Sequence, residues 1–407
     1  MRPFTSTISL EEARRRLAAA VRPIARTERV PLADASGRVV ASGVTSSLDV
    51  PPFARSAMDG YAVVAADTAG ASRDTPVRLG IAERIYTGQM PQRGIAPGLC
   101  AEIATGAPLP AGADAVVMVE ETRSADGRRE TGSLVDILTA ATAGQNISPR
   151  GADITTGALV VNPGDLLTPG RIGSLAAVGR TDVEVYQRPR VAILSTGNEV
   201  VAPGSTLEPG QVFDVNSFTL AAIAGAHGGA AERHRAVEDS LDALTTALDA
   251  CAGADVIVFS GGSSVGERDL ILDVVTARGE MVFHGIAIKP GKPTAFALVD
   301  GRPLFGMPGN PTSCLSNAYI LLVPFLRAIA HLPPFQPRIV RVPLARRIDS
   351  VASRHQIYTV RLADGRAHPA FKGSGDITSL SQADGYIEIP ADQETVDAGA
   401  MVEVTMF

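Results

Sequence analysis

The chain has no tryptophan, only three cysteines among 407 residues, and no excess of positive charge. Cys100, Cys251 and Cys314 lie far apart and lack any metal-ligand spacing, which argues against a disulfide framework and for a reducing compartment. His227, His234, His284, His331, His355 and His368 form no H-x-x-x-H pair and do not pair with the cysteines, so zinc chemistry has no support. A net charge of −6 supplies no general basic field for nucleic acid, and any polyanion has to be held locally. Nothing at the N-terminus joins a basic segment to a long apolar one, and no apolar run approaches the ~20 residues that span a bilayer. The expectation is a cytoplasmic protein with no nucleic-acid and no membrane partner.

What is present fits a well-packed protein of several domains. Hydrophobic residues make up 45% and charged ones 20%, while 40 glycines and 28 prolines imply many turns and short strands. At roughly 150 residues per domain, the length suggests two to four domains.

The stretch from Asp255 to Asp273 organises the rest. Val256, Ile257, Val258 and Phe259 form an unbroken run that predicts a strand covered on both faces. Gly261, Gly262 and Gly266, with Ser263 and Ser264, let the backbone approach a bound group, and Leu270, Ile271, Val274 and Val275 then repeat at helical spacing. A strand, a Gly/Ser turn and a helix start make an oxyanion site. Asp269 sits just inside it, where a carboxylate makes sense if a divalent cation stands between it and a phosphate, or if it merely caps the helix.

In chain order, Ser9-Leu-Glu-Glu12 resembles a capping box opening a short helix whose stripe is Leu10, Ala13, Leu17 and Ala20. Pro51 and Pro52 deny regular structure before the Asp59-Gly60 turn. Short apolar runs at 61–64, 77–81, 100–103, 115–119 and 134–137 read as strands of a small barrel or sandwich, with a long irregular loop at 105–114. Residues 146–165 bring the chain back to the opening domain, so that the β region is an insertion.

Beyond Pro189 strands alternate with helices: Val191-Ala-Ile-Leu194, a helix capped by Asn216, a second at 240–250, and then the organising strand. This predicts a parallel α/β sheet followed by a hairpin tipped by Asp300-Gly301 and a long apolar helix after Met307-Pro-Gly-Asn-Pro-Thr-Ser313. Residues 333–407 read as a terminal β module. Loops at the carboxyl ends of such strands share one edge, so Glu199, Ser264, Asp269, Lys289 and Ser313 are expected to converge. The prolines of Lys289-Pro-Gly-Lys292-Pro fix two lysines in one arrangement suited to a tetrahedral oxyanion, and Asn310 and Ser313 can donate to an anion at a helix start.

Arg55-Ser-Ala-Met-Asp-Gly-Tyr-Ala62, Thr105-Gly with Pro110-Ala-Gly-Ala-Asp114, Ser195-Thr-Gly-Asn-Glu199, 260–269, Lys289-Pro-Gly-Lys-Pro293 and Pro308-Gly-Asn-Pro311 occur in the order found in the MoeA and gephyrin E-domain family. The chain resembles that family over nearly its whole length. The resemblance implies a multidomain α/β protein: an N-terminal α+β domain (1–47 and 144–181), an inserted β domain (48–143), a MogA-like parallel-sheet α/β domain (182–332) and a C-terminal β-barrel-like domain (333–407). It further implies a homodimer that cleaves adenylylated molybdopterin with Mg²⁺ and loads molybdenum from molybdate, with a possible adenylyltransferase partner. A gephyrin-like scaffold and a tungstate-handling homologue are the alternatives.

Carried over residue by residue, the resemblance puts Asp59, Asp269, Glu199 and Asp153 around metal and phosphates, with Asp59, Glu199 and Asp269 as the metal ligands. Lys289, Lys292 and Ser313 become anion and pterin contacts, joined by Thr105, Gly261, Gly262, Ser264, Asn310 and Ser379. Asp59 is expected to act across the dimer. Four positions depart from the family pattern. Ser148 and Ala152 replace an arginine and a glutamate, Asn198 replaces an aspartate, and Thr359 stands where an arginine is usual. Arg150, two residues beyond Ser148, can supply a similar charge.

Overall fold

The computed structural model describes residues 7–125, 130–234, 240–261 and 270–407. Gly262, Ser264 and Asp269 therefore lie outside the described residues. The contacts gather the chain into two compact units, one of Met1–Glu28, Gly37–Val39 and Glu184–Phe407, the other of Arg29–Ser36 and Val40–Val183.

The first unit is built on a six-stranded sheet in the order Ala230–Arg233, Arg190–Ser195, Val256–Ser260, Arg302–Met307, Ala295–Val299, Gly279–His284. The first four strands run parallel, and Ala295–Val299 pairs antiparallel with both of its neighbours, Arg302–Met307 and Gly279–His284. The predicted hairpin is there: Asp300 and Gly301 both have positive φ, 49° and 75°, as a two-residue turn matched to strand twist requires. Strand alternation sends Val191, Ile193, Val256 and Val258 to one face and Ala192, Leu194, Ile257 and Phe259 to the other. Leu244 and Leu248 of the helix Leu241–Ala250 cover the second face together with Val274 and Val275 of Leu270–Arg278. Leu220 and Ile223 of Asn216–Ala226 cover the first, along with the long helical run after residue 310. The result is an α/β layer buried on both sides, which explains why its central strand needs no polar face.

The opening helix Leu10–Ala20 packs Leu10, Ala13 and Leu17 into the first-face core. Half of its expected capping box forms: Ser9 Oγ accepts the Glu12 N–H at 3.1 Å, but the Glu12 carboxylate turns to Arg15 and Arg16. Two guanidiniums outcompete one backbone N–H.

The helical run Pro311–Ile329 corrects the reading of apolar runs. It has 19 residues and by length and composition could cross a membrane, but 72% of it is buried in the protein, which marks it as a core helix. A π-turn at Ala318–Leu322 precedes Pro324, whose missing N–H removes a rung from the helical ladder.

The terminal module closes on itself. His355–Ala363 pairs with Arg366–Pro369 and with Gly385–Ile389, which continues through Met401–Met406 to Ile339–Pro343. A bridge from Leu344 to Ala367 then joins the two ends. Leu344, Val360, Ala367, Ile387 and Val404 fill the interior of this barrel-like sheet. Its strand His355–Ala363 also pairs with Ile288–Lys289, so barrel and α/β layer share main-chain bonds.

The second unit carries the predicted β region as a six-stranded sheet: Ala115–Met118, Gly60–Val63, Leu99–Ile103, Val77–Ile85, Leu134–Ile137, Thr122–Ser124. Tyr61 and Val63 face one core and Ala62 the other. The segment 158–161 returns as Leu159–Val161, antiparallel to Val44–Thr45.

Phe296 is fully buried at the centre of a ring cluster, with centroids 5.9, 4.9 and 5.7 Å from Phe283, Phe305 and Phe325. We expect Phe296→Ala to destabilise the first unit by about 3–5 kcal/mol, read as a lowered urea midpoint in the transition reported by that unit.

Candidate functional site

Register sets the level of the site. Ser195 lies opposite Ser260, and Ser260 opposite Met307, so three parallel strands end together and their loops open on one edge. The Thr196 N–H donates to Ser260 O at 2.9 Å and the Gly261 N–H to Met307 O at 3.3 Å, which ties the loop starts together. Around them opens a cleft of about 1250 Å³. Glu199, Gly261, Lys289, Lys292, Asn310 and Ser313, six of the residues named from sequence, line it.

Glu199 is exposed on a turn closed by the Val200 N–H on Gly197 O. Its carboxylate folds back over Gly197: a methyl there would stand 2.7 Å from Glu199 Oε2, and φ at Gly197 is +137°. Only glycine serves at that position. Asn198 beside it is exposed.

The lysine loop is held from below. Gly291 O accepts from Thr294 Oγ1 at 2.8 Å and from Asn317 Nδ2 at 3.0 Å, and Asn317 also donates to Thr294 Oγ1 at 2.5 Å. Asn317 and Thr294 are fully buried, while Lys289 and Lys292 are half-buried at the cleft. Prolines limit the chain from above and this buried knot fixes it from beneath.

The helix start after Pro311 differs from expectation. Thr312 and Ser313 N–H groups donate to Ser374 O of the barrel at 3.0 and 3.4 Å, and Asn310 Nδ2 donates to Ser374 Oγ at 3.2 Å. Donors expected to face an anion are thus taken up by Ser374, which itself lines the cleft. Ser379 does not line it. That side chain is fully buried, and its hydroxyl accepts the Lys372 N–H at 2.9 Å.

Asn216 is not the cap of its helix. Asp214 is: its carboxylate accepts the Ser217 N–H and Ser195 Oγ, each at 3.0 Å. Asn216 instead reaches the strand ends, donating to Ser260 Oγ and Gly309 O at 2.7 Å. Among the described residues, Asn216 Oδ1 and Thr196 Oγ1 are buried in the cleft wall without a hydrogen-bond partner. Buried polar atoms of this kind ask for a ligand or water. Arg354 and Phe371 also line the cleft and were missed, because a lone arginine or phenylalanine in a β module carries no pattern.

Asp59, Thr105 and Asp153 belong to the second unit. Asp59 Oδ1 accepts the Thr105 N–H at 2.7 Å and its hydroxyl at 3.0 Å, and the backbone donor above all holds the carboxyl below its usual range. It borders a cavity of about 240 Å³ shared with Arg84, Tyr86 and Glu102. Asp153 and Ala152 are exposed. Arg150, expected to stand in for the arginine absent at 148, is bound to Asp49 at 2.6 Å; Arg55 faces Ser148 across an antiparallel pair. Thr359 is buried in the barrel strand, with its hydroxyl unpartnered among the described residues.

The carboxylates suit a hard cation such as magnesium, which prefers oxygen ligands. Among the described residues no group of three His, Cys, Asp or Glu gathers. In the cleft Glu199 offers its carboxylate to solvent, and Asp214, with one oxygen accepting from Ser217 N–H and Ser195 Oγ, is a second carboxylate.

Comparisons agree along the whole chain. Residues 8–179 match the MoeA N-terminal region (domain I and II), 192–328 the probable molybdopterin binding domain and 341–407 the MoeA C-terminal region (domain IV). Molybdopterin molybdenumtransferase 2 of Mycobacterium tuberculosis is 35% identical over 397 residues, 95% of either chain. A molybdopterin molybdenumtransferase of Nostoc is 34% identical over 93% of this chain and 88% of its own. The crystal structure of the molybdopterin biosynthesis MoeA protein of Pyrococcus horikoshii superimposes with a TM-score of 0.83 at 38% identity, covering 98% of this chain and 99% of that one.

Two outcomes test this geometry. Gly291 has φ +98°, and a methyl there would lie 2.2 Å from Asn317 Nδ2. Gly291→Ala should therefore cost about 1–3 kcal/mol in chemical denaturation, from backbone strain and loss of the knot. The second concerns Asp59. Its lowered pKa means that its contribution is present above the unfolded-state value and is lost as pH falls through the folded one. Thr105→Val removes the hydroxyl but keeps the N–H, so the Asp59 carboxyl should rise only part of the way to its ordinary value in an NMR titration.

Proposed function

Because the chain belongs to the MoeA family, we propose that it is a molybdopterin molybdenumtransferase: it takes adenylylated molybdopterin and molybdate, cleaves the adenylyl group with magnesium, and leaves molybdenum on the dithiolene. The observation that carries this reading is the convergence of Glu199, Lys289, Lys292 and Arg354 on one cleft at the carboxyl ends of the parallel strands. Both substrates are anions, and two lysines held by prolines and a buried knot offer them a pre-set cationic wall. Molybdate needs no covalent chemistry from the protein, only placement beside the pterin sulfurs.

Magnesium, when bound, neutralises phosphate charge. In the cleft Glu199 would hold it, with Asp269 and Asp59 as the others named from sequence. Asp59 is prepared for this role, since the two Thr105 donors keep it ionised. We propose that Asp59 reaches the cleft from a second copy of the chain, which makes the working form a homodimer in the cytoplasm. Its three free cysteines are all buried, which suits a reducing compartment. A molybdopterin adenylyltransferase is the natural supplier of the substrate.

The test is assembly of cofactor from adenylylated molybdopterin, Mg²⁺ and molybdate, with tungstate in parallel. We expect Asp59→Asn and Lys289→Ala to be folded and to lose at least about a hundredfold in rate, while mixing the two after subunit exchange restores part of it. A site built within one subunit would give no rescue, and wild-type protein that makes no cofactor would overturn the assignment.

A further inference from the structure

The cleft has a second wall, supplied by the terminal barrel. Arg354, Phe371 and Ser374 belong to it. Arg354 lies one residue ahead of the strand His355–Ala363, and that strand is pinned to the α/β layer by the His355 N–H on Ala287 O at 2.9 Å and by the pairing of Ile288 with His355. The backbone next to Arg354 is therefore tied by main-chain bonds to the segment that carries Lys289. Arg26, Arg78 and Arg278 each bind a carboxylate. Arg354 is half-buried and, among the described residues, makes no ion pair and no hydrogen bond. A planar guanidinium held at a cleft without a carboxylate is ready for an oxyanion, which it can grip with two parallel N–H donors.

Phe371 is anchored on the same strand. The Ala370 N–H donates to Thr359 O at 2.9 Å, and the Phe371 ring lies 5.4 Å from the ring of Tyr358. The Phe371 ring is half-buried at the cleft. Phe371 and Arg354 thus give this wall of the cleft an aromatic face and a guanidinium.

We propose that the barrel wall recognises the nucleotide half of the adenylylated substrate, with Phe371 stacking on the purine and Arg354 gripping the phosphate. Both are positioning residues. The lysine wall opposite is left for the pterin phosphate and molybdate, and Thr359, buried in the strand, takes no part. This inference rests on the reading of the cleft as the site for an adenylylated pterin.

The test is calorimetric titration of the full-length protein with AMP, adenosine and molybdate. Phe371→Leu should weaken AMP and adenosine each by about tenfold and leave molybdate within twofold, and Phe371→Tyr should restore both. Arg354→Gln should weaken AMP by at least about tenfold and leave adenosine unchanged, with Arg354→Lys intermediate. In assembly assays both losses should appear in KM rather than kcat. AMP binding that is undetectable in wild type, unchanged in either variant, or lost in step with molybdate would overturn the proposal. If the AMP and adenosine pattern holds in a protein that assembles no cofactor, the nucleotide wall stands and the transferase assignment falls. Cofactor assembly with AMP binding indifferent to both residues gives the reverse.

Discussion

The site depends on the strand Val256–Ser260 being buried on both faces and in register with both neighbours. Burial removes any polar alternative along its length, so a one-residue slip would move a whole set of side chains to the wrong core. Register then delivers Ser195, Ser260 and Met307 to the same level, and the loops that follow have no choice but to share an edge. Asn216 reinforces that level from outside the sheet by bonding to Ser260 and to Gly309 at once. Catalytic geometry here is a by-product of core packing.

The second constraint is the barrel. It supplies Ser374, whose carbonyl and hydroxyl take up the Thr312 and Ser313 N–H groups and the Asn310 amide. A helix start is ordinarily an anion site because its N–H groups lack partners. Once they are satisfied, attraction for an anion passes to side chains, and the lysines and Arg354 dominate. This shifts selectivity from backbone dipoles, which favour any anion, toward groups whose spacing can match a particular one.

Much of this was legible beforehand, for reasons that differ by element. The organising strand, the hairpin at Asp300-Gly301 and five of the six strands in the second unit's large sheet announce themselves through local patterns, whereas Thr122–Ser124 does not. Family resemblance located Glu199, Lys289 and Lys292, all of which line the cleft. The cap of the helix Asn216–Ala226 was misplaced because Asp214 and Asn216 are both good caps, and only the fold shows that Asn216 is needed at the strand ends. Ser374 and Arg354 were missed because their roles depend on how the barrel meets the sheet, and no local spacing encodes that meeting. Ser379, named from sequence, proves to be buried away from the cleft, and Ser374, which lines it, was not named.

What the protein leaves unsatisfied then defines what it can bind. Around the cleft the helix-start donors, the Asp214 carboxylate and the Gly291 carbonyl are all engaged internally. Among the described residues the open polar groups are the Glu199 carboxylate, the Arg354 guanidinium, Thr196 Oγ1 and Asn216 Oδ1, next to the Lys289 and Lys292 ammonium groups. Lys289, Lys292 and Arg354 set three positive charges against the two carboxylates of Glu199 and Asp214, so the cleft lining is net positive and favours an anion. The buried Asn216 Oδ1 is an acceptor and calls for a donor, which a pterin or purine ring possesses, while the Thr196 hydroxyl can donate or accept. A ligand that joins an anionic part to a hydrogen-bond-donating ring meets both the cationic side chains and the buried Asn216 acceptor.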